Sequence, residues 1–341
     1  GVDVIAGNAE KESIGTYVGL GKQGSAIVDV TEAGRLTPVG GQRRLHGFGQ
    51  YTRAFVKIQD GCDNRCSYCA VPLARGRSRS KPQQEVTSEI ETLVGAGFKE
   101  VVLTGVHLGS YGRDLSPAGS LAGLLRRITG TPGLARLRLS SIEPTDFTDE
   151  LIDLIGDTDA GICPHVHVPL QSGDDRILKL MGRPYTRAFY GDLIGRIADR
   201  VPRCGIGADV MVGFPGEDGE AFYNTRGLLS DLPVTYLHVF SFSMRAGTRA
   251  PLLKGQVDPQ EKKRRSHVLR ELGMRKGYLF RESLVGKNLE VLTLARRVDG
   301  LVSGLSGNYV RVVLDEPTQP NTILPCRVTG VRGGGVVATA A

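Results

Sequence analysis

Over residues 55–257 one pattern recurs six times: a short apolar run, a Gly- or Ser-rich turn, then an amphipathic stretch. The apolar runs fall at 54–59, 100–104, 134–140, 165–170, 207–212 and 236–240. The helical stretches fall at 82–95, 120–129, 148–156, 174–180, 185–201 and 217–232. Strands alternating with helices of this length predict a parallel sheet with right-handed crossovers. The pattern fits an open doubly wound sheet or a partial barrel equally well. In both, ligands gather at the carboxyl ends of the strands.

The flanks read differently. Val2-Asp3-Val4-Ile5-Ala6-Gly7-Asn8 is a short strand ending in a turn, with a helix or turn expected near 9–14. One strand cannot bury both its faces, so this is the tail of an α/β unit. Polar sequence at 31–50, broken by Gly34, Pro38, Gly40 and Gly41, predicts a linker. A charged helix is expected over 258–284. Short β runs at 289–294, 301–303, 309–314, 326–331 and 336–339 then predict a small barrel of the OB type.

Composition excludes several classes. No apolar run approaches the roughly 20 residues that span a bilayer, and residues 1–21 carry no basic start with an apolar core. Six cysteines, three of them in one motif, do not make a disulfide framework, which favours a reducing cytoplasm. The net charge of +7 invites a polyanionic partner. The absence of methionine at residue 1 suggests an excised or processed chain.

Cys62-Asp63-Asn64-Arg65-Cys66-Ser67-Tyr68-Cys69 follows the first apolar run in the spacing C-x3-C-x2-C. Three thiolates on one loop can wrap a single metal centre. Structural zinc takes four ligands, and an ordinary iron–sulfur cubane takes four cysteines. Three therefore suggest a cubane with one open iron, with zinc or free thiols as the alternatives. Next comes Ala74-Arg75-Gly76-Arg77-Ser78-Arg79-Ser80-Lys81, a basic loop able to grip phosphates or to be simply solvated. Further turns stand at strand ends: Thr104-Gly105-Val106-His107, Ser141-Ile142-Glu143-Pro144, Gln171-Ser172-Gly173 and Gly213-Phe214-Pro215-Gly216. His107 is read as a surface or supporting residue. His165 and His167 share a sheet face, and packing inside the barrel is favoured because no further ligands cluster with them in sequence. Cys163, Cys204 and Cys326 are read as small core residues.

The motif C-x3-C-x-aromatic-C, with these turns in this order, resembles the radical S-adenosylmethionine (SAM) methylthiotransferases. The resemblance covers nearly the whole chain. It implies a remnant of an N-terminal α/β methylthiotransferase domain with linker (1–45), a partial (β/α)6 radical SAM barrel (46–257), a connecting helix (258–284) and a small all-β, OB-like TRAM domain (285–341). It implies a [4Fe–4S] cluster on Cys62, Cys66 and Cys69, and SAM held near Tyr68, Gly105, Ser141, Glu143, Gln171, Ser172, Asp209 and Phe240. RNA would be gripped by Arg75, Arg77 and Arg79 together with Lys287, Arg296, Arg297 and Arg311. The implied chemistry is reductive cleavage of SAM, hydrogen abstraction from C2 of an adenine, and transfer of a methylated sulfur from a second, auxiliary [4Fe–4S] cluster. No cysteine precedes Cys62, so this chain is expected to lack that cluster's ligands.

Ala74-Arg75-Gly76, Val106 to Gly112 and His238 to Thr248 favour the branch acting on N6-threonylcarbamoyladenosine at position 37 of tRNA, with Leu73, Phe242 and Ala246 departing from its tyrosine, tyrosine and proline. The isopentenyladenosine branch, the ribosomal-protein aspartate branch and a non-catalytic zinc- and RNA-binding protein are the alternatives. Expected partners are SAM, the tRNA anticodon loop and an electron donor such as flavodoxin or ferredoxin. A cytoplasmic monomer with no membrane contact is expected.

Overall fold

The computed structural model describes residues 2–21, 24–36, 51–298, 300–315 and 317–341. The linker expected at 31–50 lies, from residue 37 onward, outside the described residues, as does the boundary at 45–46. Six parallel strands form the centre: β1 (Arg53–Asp60), β2 (Glu100–Gly105), β3 (Arg136–Leu139), β4 (His165–His167), β5 (Gly205–Val212) and β6 (Tyr236–Ser241). Their spatial order is their chain order; β3 meets the β4 segment through a parallel bridge between Leu137 and Ile162. A doubly wound sheet would reverse direction midway. This one never does, so the architecture is a partial (β/α)6 barrel. No pairing joins β6 to β1 among the described residues.

The covering helices are α1 (Gln83–Gly95), α2 (Leu121–Thr129), α3 (Asp149–Gly156), α4 (Asp175–Met181), α5 (Arg187–Arg200), α6 (Gly219–Asp231) and α7 (Pro259–Ser283). All but α1 start behind a Ser, Thr or Asp whose side chain accepts from a first-turn amide: Ser120, Thr148, Asp174, Thr186, Asp218 and Asp258. Each such cap satisfies an amide that has no partner within the helix. Alternation divides the strands. Ala54, Val56, Ile58, Leu103, Leu137, Ile206 and Val210 pack with Ile90, Leu93, Leu124, Leu193 and Ile197 in one apolar layer. Their neighbours face a polar lumen.

At the base of the lumen Glu100 is wholly buried, taking Arg138 through Nε at 2.8 Å and Nη2 at 3.3 Å, with Arg136 and Arg53 at 3.6 and 3.7 Å. The helix at 258–284 does more than connect. On α7, Gly273 and Gly277 let the helix lie against Leu237 and the Thr235 carbonyl, where a Cβ would stand at 3.1 and 3.3 Å. Arg265 pairs with buried Glu217 at 2.6 Å. No helix among the described residues is long and apolar enough to cross a membrane.

The C-terminal strands β7 (Asn288–Val298), β8 (Leu301–Ser306), β9 (Arg311–Leu314), β10 (Ile323–Arg332) and β11 (Gly335–Ala340) close into a barrel in the order β7-β8-β9-β11-β10. Only β9 and β11 run parallel. Val291, Val302, Val312, Leu314, Val328 and Val336 fill it. It docks on the amino ends of β1–β6. Arg136 donates to the Leu305 carbonyl at 3.0 Å, and Arg138 to those of Gly307 and Ser306 at 2.8 and 3.1 Å. The Tyr309 ring stacks on His165 at 4.4 Å. Gly205 faces the Asn308 carbonyl so closely that a Cβ would come within 2.2 Å of its oxygen. The small barrel therefore stoppers the end of the lumen opposite the cysteine loop.

Val4–Ala6 and Ile27–Asp29 pair in parallel across a helix at Ile14–Gly19, a βαβ unit whose second strand the sequence reading missed. This unit rests on the short helix Val71–Arg75 that follows the cysteines, through a bond from Asn8 Nδ2 to the Ala74 carbonyl at 2.8 Å.

Candidate active site

The cysteine loop is built from both ends. After β1, Gly61 takes φ +73° against the Arg77 carbonyl, where a Cβ would lie 1.9 Å from oxygen, so only glycine fits. The Cys62 amide donates to the Gly76 carbonyl at 3.1 Å. Ser67 ties the middle to the end of α4, its amide reaching the Met181 carbonyl and its hydroxyl the Leu180 carbonyl, both at 2.8 Å. Cys62, Cys66 and Cys69 are half-buried, whereas Cys163, Cys204 and Cys326 are buried apart from one another in the core. Burial pushes those three thiols up to about 11, 12 and 11, so they stay neutral and inert.

Two cationic or polar groups reach the triad. Arg183 Nη1 lies 3.4 Å from Cys66 Sγ, and the same guanidinium pairs with Glu143 and donates from Nε to the Tyr185 hydroxyl at 2.9 Å. His107 Nδ1 lies 3.7 Å from Cys62 Sγ, with Nε2 2.7 Å from Asp146. Burial opposes charge on His107, but the bonds to Asp146 and Cys62 prevail and raise it to about 9.

Below the triad, Ser141 Oγ meets His167 Nδ1 at 2.7 Å. His167 Nε2 and His238 Nδ1 both stand 3.3 Å from Asp209 Oδ1. Burial works against the Asp209 charge; the two imidazoles 3.3 Å away outweigh it and lower the carboxyl to about 2. These side chains correct the expectation that nothing clusters with the paired histidines. The parallel register sets Asp209 opposite His238 and His167 opposite Gly207, which no linear spacing reveals. His165 is separate, bound to the Tyr236 hydroxyl at 2.8 Å.

The three thiols fit an iron–sulfur cluster. Among the described residues, His167, Asp209 and His238 are the ligand-type group with donor atoms all within 4.8 Å of one another; the cysteine triad is more open than that. Thiolates on one zinc, at about 2.3 Å each, would be drawn closer. An all-thiolate set of three leaves one iron of a cubane free for a ligand.

A sequence profile described as "Radical SAM superfamily" matches residues 56–229, from β1 into α6. The threonylcarbamoyladenosine tRNA methylthiotransferase MtaB of Thermotoga maritima is 38% identical over 312 residues, covering 91% of this chain and 70% of that protein. The chain belongs to the MtaB-like radical SAM family. The tRNA-2-methylthio-N(6)-dimethylallyladenosine synthase of Pelotomaculum thermopropionicum is 37% identical over 283 residues, 82% of this chain and 63% of that protein. Among solved structures, coproporphyrinogen III oxidase (HemN) of Escherichia coli, a radical SAM enzyme, superposes with a TM-score of 0.50 at 16% identity, covering 71% of this chain and 57% of that one. That likeness speaks for the fold alone.

Seen as a radical SAM barrel, the mouth gathers most of the expected cofactor residues. Glu143 lies there, engaged by Arg183. Gln171 lies there too, in the left-handed region at φ +66°, its amide bound to the Asp209 carbonyl at 2.8 Å. Tyr68 packs edge-on to Phe214 at 6.3 Å, and burial pushes its phenol up. Gly105 admits Gln59, whose Oε1 accepts the His107 amide at 2.7 Å. Phe240 is half-exposed on the edge strand. Ser172 is a correction: it is fully buried, its Oγ turned 3.4 Å from Thr225 Oγ1 and away from the mouth.

The basic loop is tied to the end of β1 and to the cysteine loop. Arg75 spans both Asp60 oxygens at 3.1 and 3.2 Å, Arg77 meets Asp63 at 3.2 Å, and Arg79 donates to the Arg75 carbonyl at 2.8 Å. Lys287, Arg296, Arg297 and Arg311 are exposed on the small barrel, beyond the opposite end of the lumen. The structure does not bring these two basic sets together. Sequence reasoning missed Arg183 and Asp146. The αL cap at Gly182 aims Arg183 at the mouth, a geometry with no linear signature.

Proposed function

We propose that this chain carries the SAM-cleaving centre of an enzyme that methylthiolates C2 of N6-threonylcarbamoyladenosine at position 37 of tRNA. The observation that carries the reading is the open, half-buried Cys62–Cys66–Cys69 triad at the barrel mouth, in a chain so similar to a protein of that name. The three thiolates would hold a [4Fe–4S] cluster, which when bound supplies one electron to SAM and so the means to break an unactivated C–H bond. The chain's own residues do the positioning. Arg183 offers its guanidinium beside Cys66 and Glu143, where the carboxylate of SAM's methionine would be drawn. Asp209, kept ionised by two imidazoles, offers an acceptor for ribose hydroxyls, with Gln171 beside it. Tyr68 and Phe214 wall the loop with apolar rings, and the small barrel shuts the base of the lumen against water.

An electron donor of the flavodoxin or ferredoxin kind, an auxiliary cluster as sulfur donor, a cytoplasmic setting and a monomeric state complete the reading. The small barrel is assigned as the TRAM domain, with Lys287, Arg296 and Arg297 meeting RNA backbone. Since these lie far from Arg75, Arg77 and Arg79, the RNA would run along the side of the barrel between the two sets.

The dimethylallyl branch is the second reading, because a relative of that name is nearly as similar. Mass spectrometry of tRNA nucleosides from a deletion strain separates the two. Complementation with the full-length gene restores 2-methylthio-N6-threonylcarbamoyladenosine, and the Cys66→Ala gene does not. Restoration of only the dimethylallyl product would transfer the chain to the other branch.

A further inference from the structure

His167, Asp209 and His238 stand on three neighbouring strands, β4, β5 and β6, and project side by side into the lumen. Each brings one donor atom, and the three atoms lie within 4.8 Å of one another. Their spacing is wide for hydrogen bonds. His167 Nε2 and His238 Nδ1 each stand 3.3 Å from Asp209 Oδ1, beyond the roughly 2.7–2.9 Å of a charge-assisted contact. The same molecule holds a contact of that kind, His107 Nε2 to Asp146 at 2.7 Å. Ligands about 2.0–2.1 Å from one tetrahedral ion are separated from each other by about 3.3 Å. The observed spacing is that of a shared ion.

His167 supplies a second, independent observation. The residue is 7% exposed, and its Nε2 is buried without a hydrogen-bond partner among the described residues. A buried polar atom left so is costly unless something outside the chain fills it. Its other nitrogen is fixed, Nδ1 meeting Ser141 Oγ at 2.7 Å. A proton on Nδ1, donated to that hydroxyl, leaves the Nε2 lone pair free to bind. Supporting hydrogen bonds orient metal-binding imidazoles in this way. The Tyr236 ring packs on His167 and His238 at 5.9 and 5.3 Å, but its hydroxyl is bound to His165 at 2.8 Å. Tyr236 is therefore a wall of the site and not a ligand.

We propose that His167 Nε2, Asp209 Oδ1 and His238 Nδ1 bind one divalent first-row metal ion of the zinc class. Two imidazoles and a carboxylate suit such an ion, and the donor set is unlike the all-thiolate loop that takes the cluster. Three protein ligands leave a fourth position for water or for an oxygen of a bound molecule. Coordination uses one carboxylate oxygen, so Oδ2 of Asp209 remains for the ribose hydroxyls. The site does not depend on which nucleoside the enzyme modifies.

The test uses residues 1–341 reconstituted anaerobically, so that iron and sulfide engage the thiols before zinc is added. Zinc retained after desalting is counted by plasma emission, its affinity is measured by competition with a chromophoric chelator, and its neighbours are identified by X-ray absorption. One zinc per chain is expected, with nitrogen and oxygen at about 2.0–2.1 Å and no sulfur at about 2.3 Å. His238→Ala removes the most exposed of the three ligands and should weaken zinc by about tenfold or more, with iron content and the melting temperature of the zinc-free protein unchanged. Ser141→Ala, which removes only the supporting bond, should weaken it by about tenfold and keep one zinc per chain. The proposal is overturned if no zinc is retained or if its neighbours are sulfur. It is equally overturned if His238→Ala and Asp209→Asn bind zinc as tightly as wild type, which marks an adventitious ion only.

Discussion

Arg138 and Glu100 bear the sharpest electrostatic load of any pair in the lumen. A carboxylate with no solvent exposure is tolerable only when its oxygens are filled, and here a guanidinium fills them from two nitrogens. Arg138→Met should cost about 3 kcal/mol in urea unfolding, at the low end for a broken buried pair. Arg136 and Arg53 remain 3.6 and 3.7 Å away to share the charge. A wild-type midpoint would show that the pair contributes nothing. Asp209 gives a pH signature. Its folded carboxyl titrates near 2 against an ordinary 3.8, so its contribution to stability is complete above the ordinary value and disappears as pH falls towards 2. Acid unfolding of the cluster-free protein, followed by circular dichroism, should lose part of its limb between about pH 4 and 2 in Asp209→Asn. An identical acid limb in the variant would remove Asp209 from the account.

At the level of elements, the strand and helix order was plain from sequence because apolar strand runs alternate with amphipathic helices, an alternation that left a doubly wound sheet and a partial barrel equally open. The helix starts expected at 120, 148 and 174 are one residue early for a physical reason: those are the capping residues, already carrying the signal but not the helical turn. The cysteine loop was equally legible, since all its ligands lie within eight residues. What stayed hidden depends on register and docking. Asp209 meets His238 only because β5 and β6 pair in that register, Arg183 reaches Glu143 across forty residues of chain, and Ser172 turns inward to Thr225. The seat of the small barrel was hidden too, and Gly205 is its most sensitive point. Gly205→Ala places a methyl within 2.2 Å of the Asn308 carbonyl oxygen. It should loosen the stopper, so that limited proteolysis cuts after α7 faster than in wild type while β1–β6 stay resistant. Unchanged cleavage would mean that the contact yields without consequence.

Over the whole molecule, a polar lumen is stoppered at its base by a β-barrel, has no pairing between β1 and β6 among the described residues, and carries an open thiolate triad at its mouth. That arrangement sets the three thiols, the Arg183–Glu143 pair and the Asp209 carboxylate at the same end of the barrel. The family supplies a name for the reaction; the residues proposed above to hold each component are what remains to be tested. Everything depends on the triad binding a cluster that can cleave SAM. The direct measurement is anaerobic reconstitution of residues 1–341 with iron and sulfide, followed by reduction in the presence of SAM. About four irons per chain and release of 5′-deoxyadenosine are predicted, with both lost in Cys66→Ala. A colourless, zinc-loaded protein that leaves SAM intact would contradict the account.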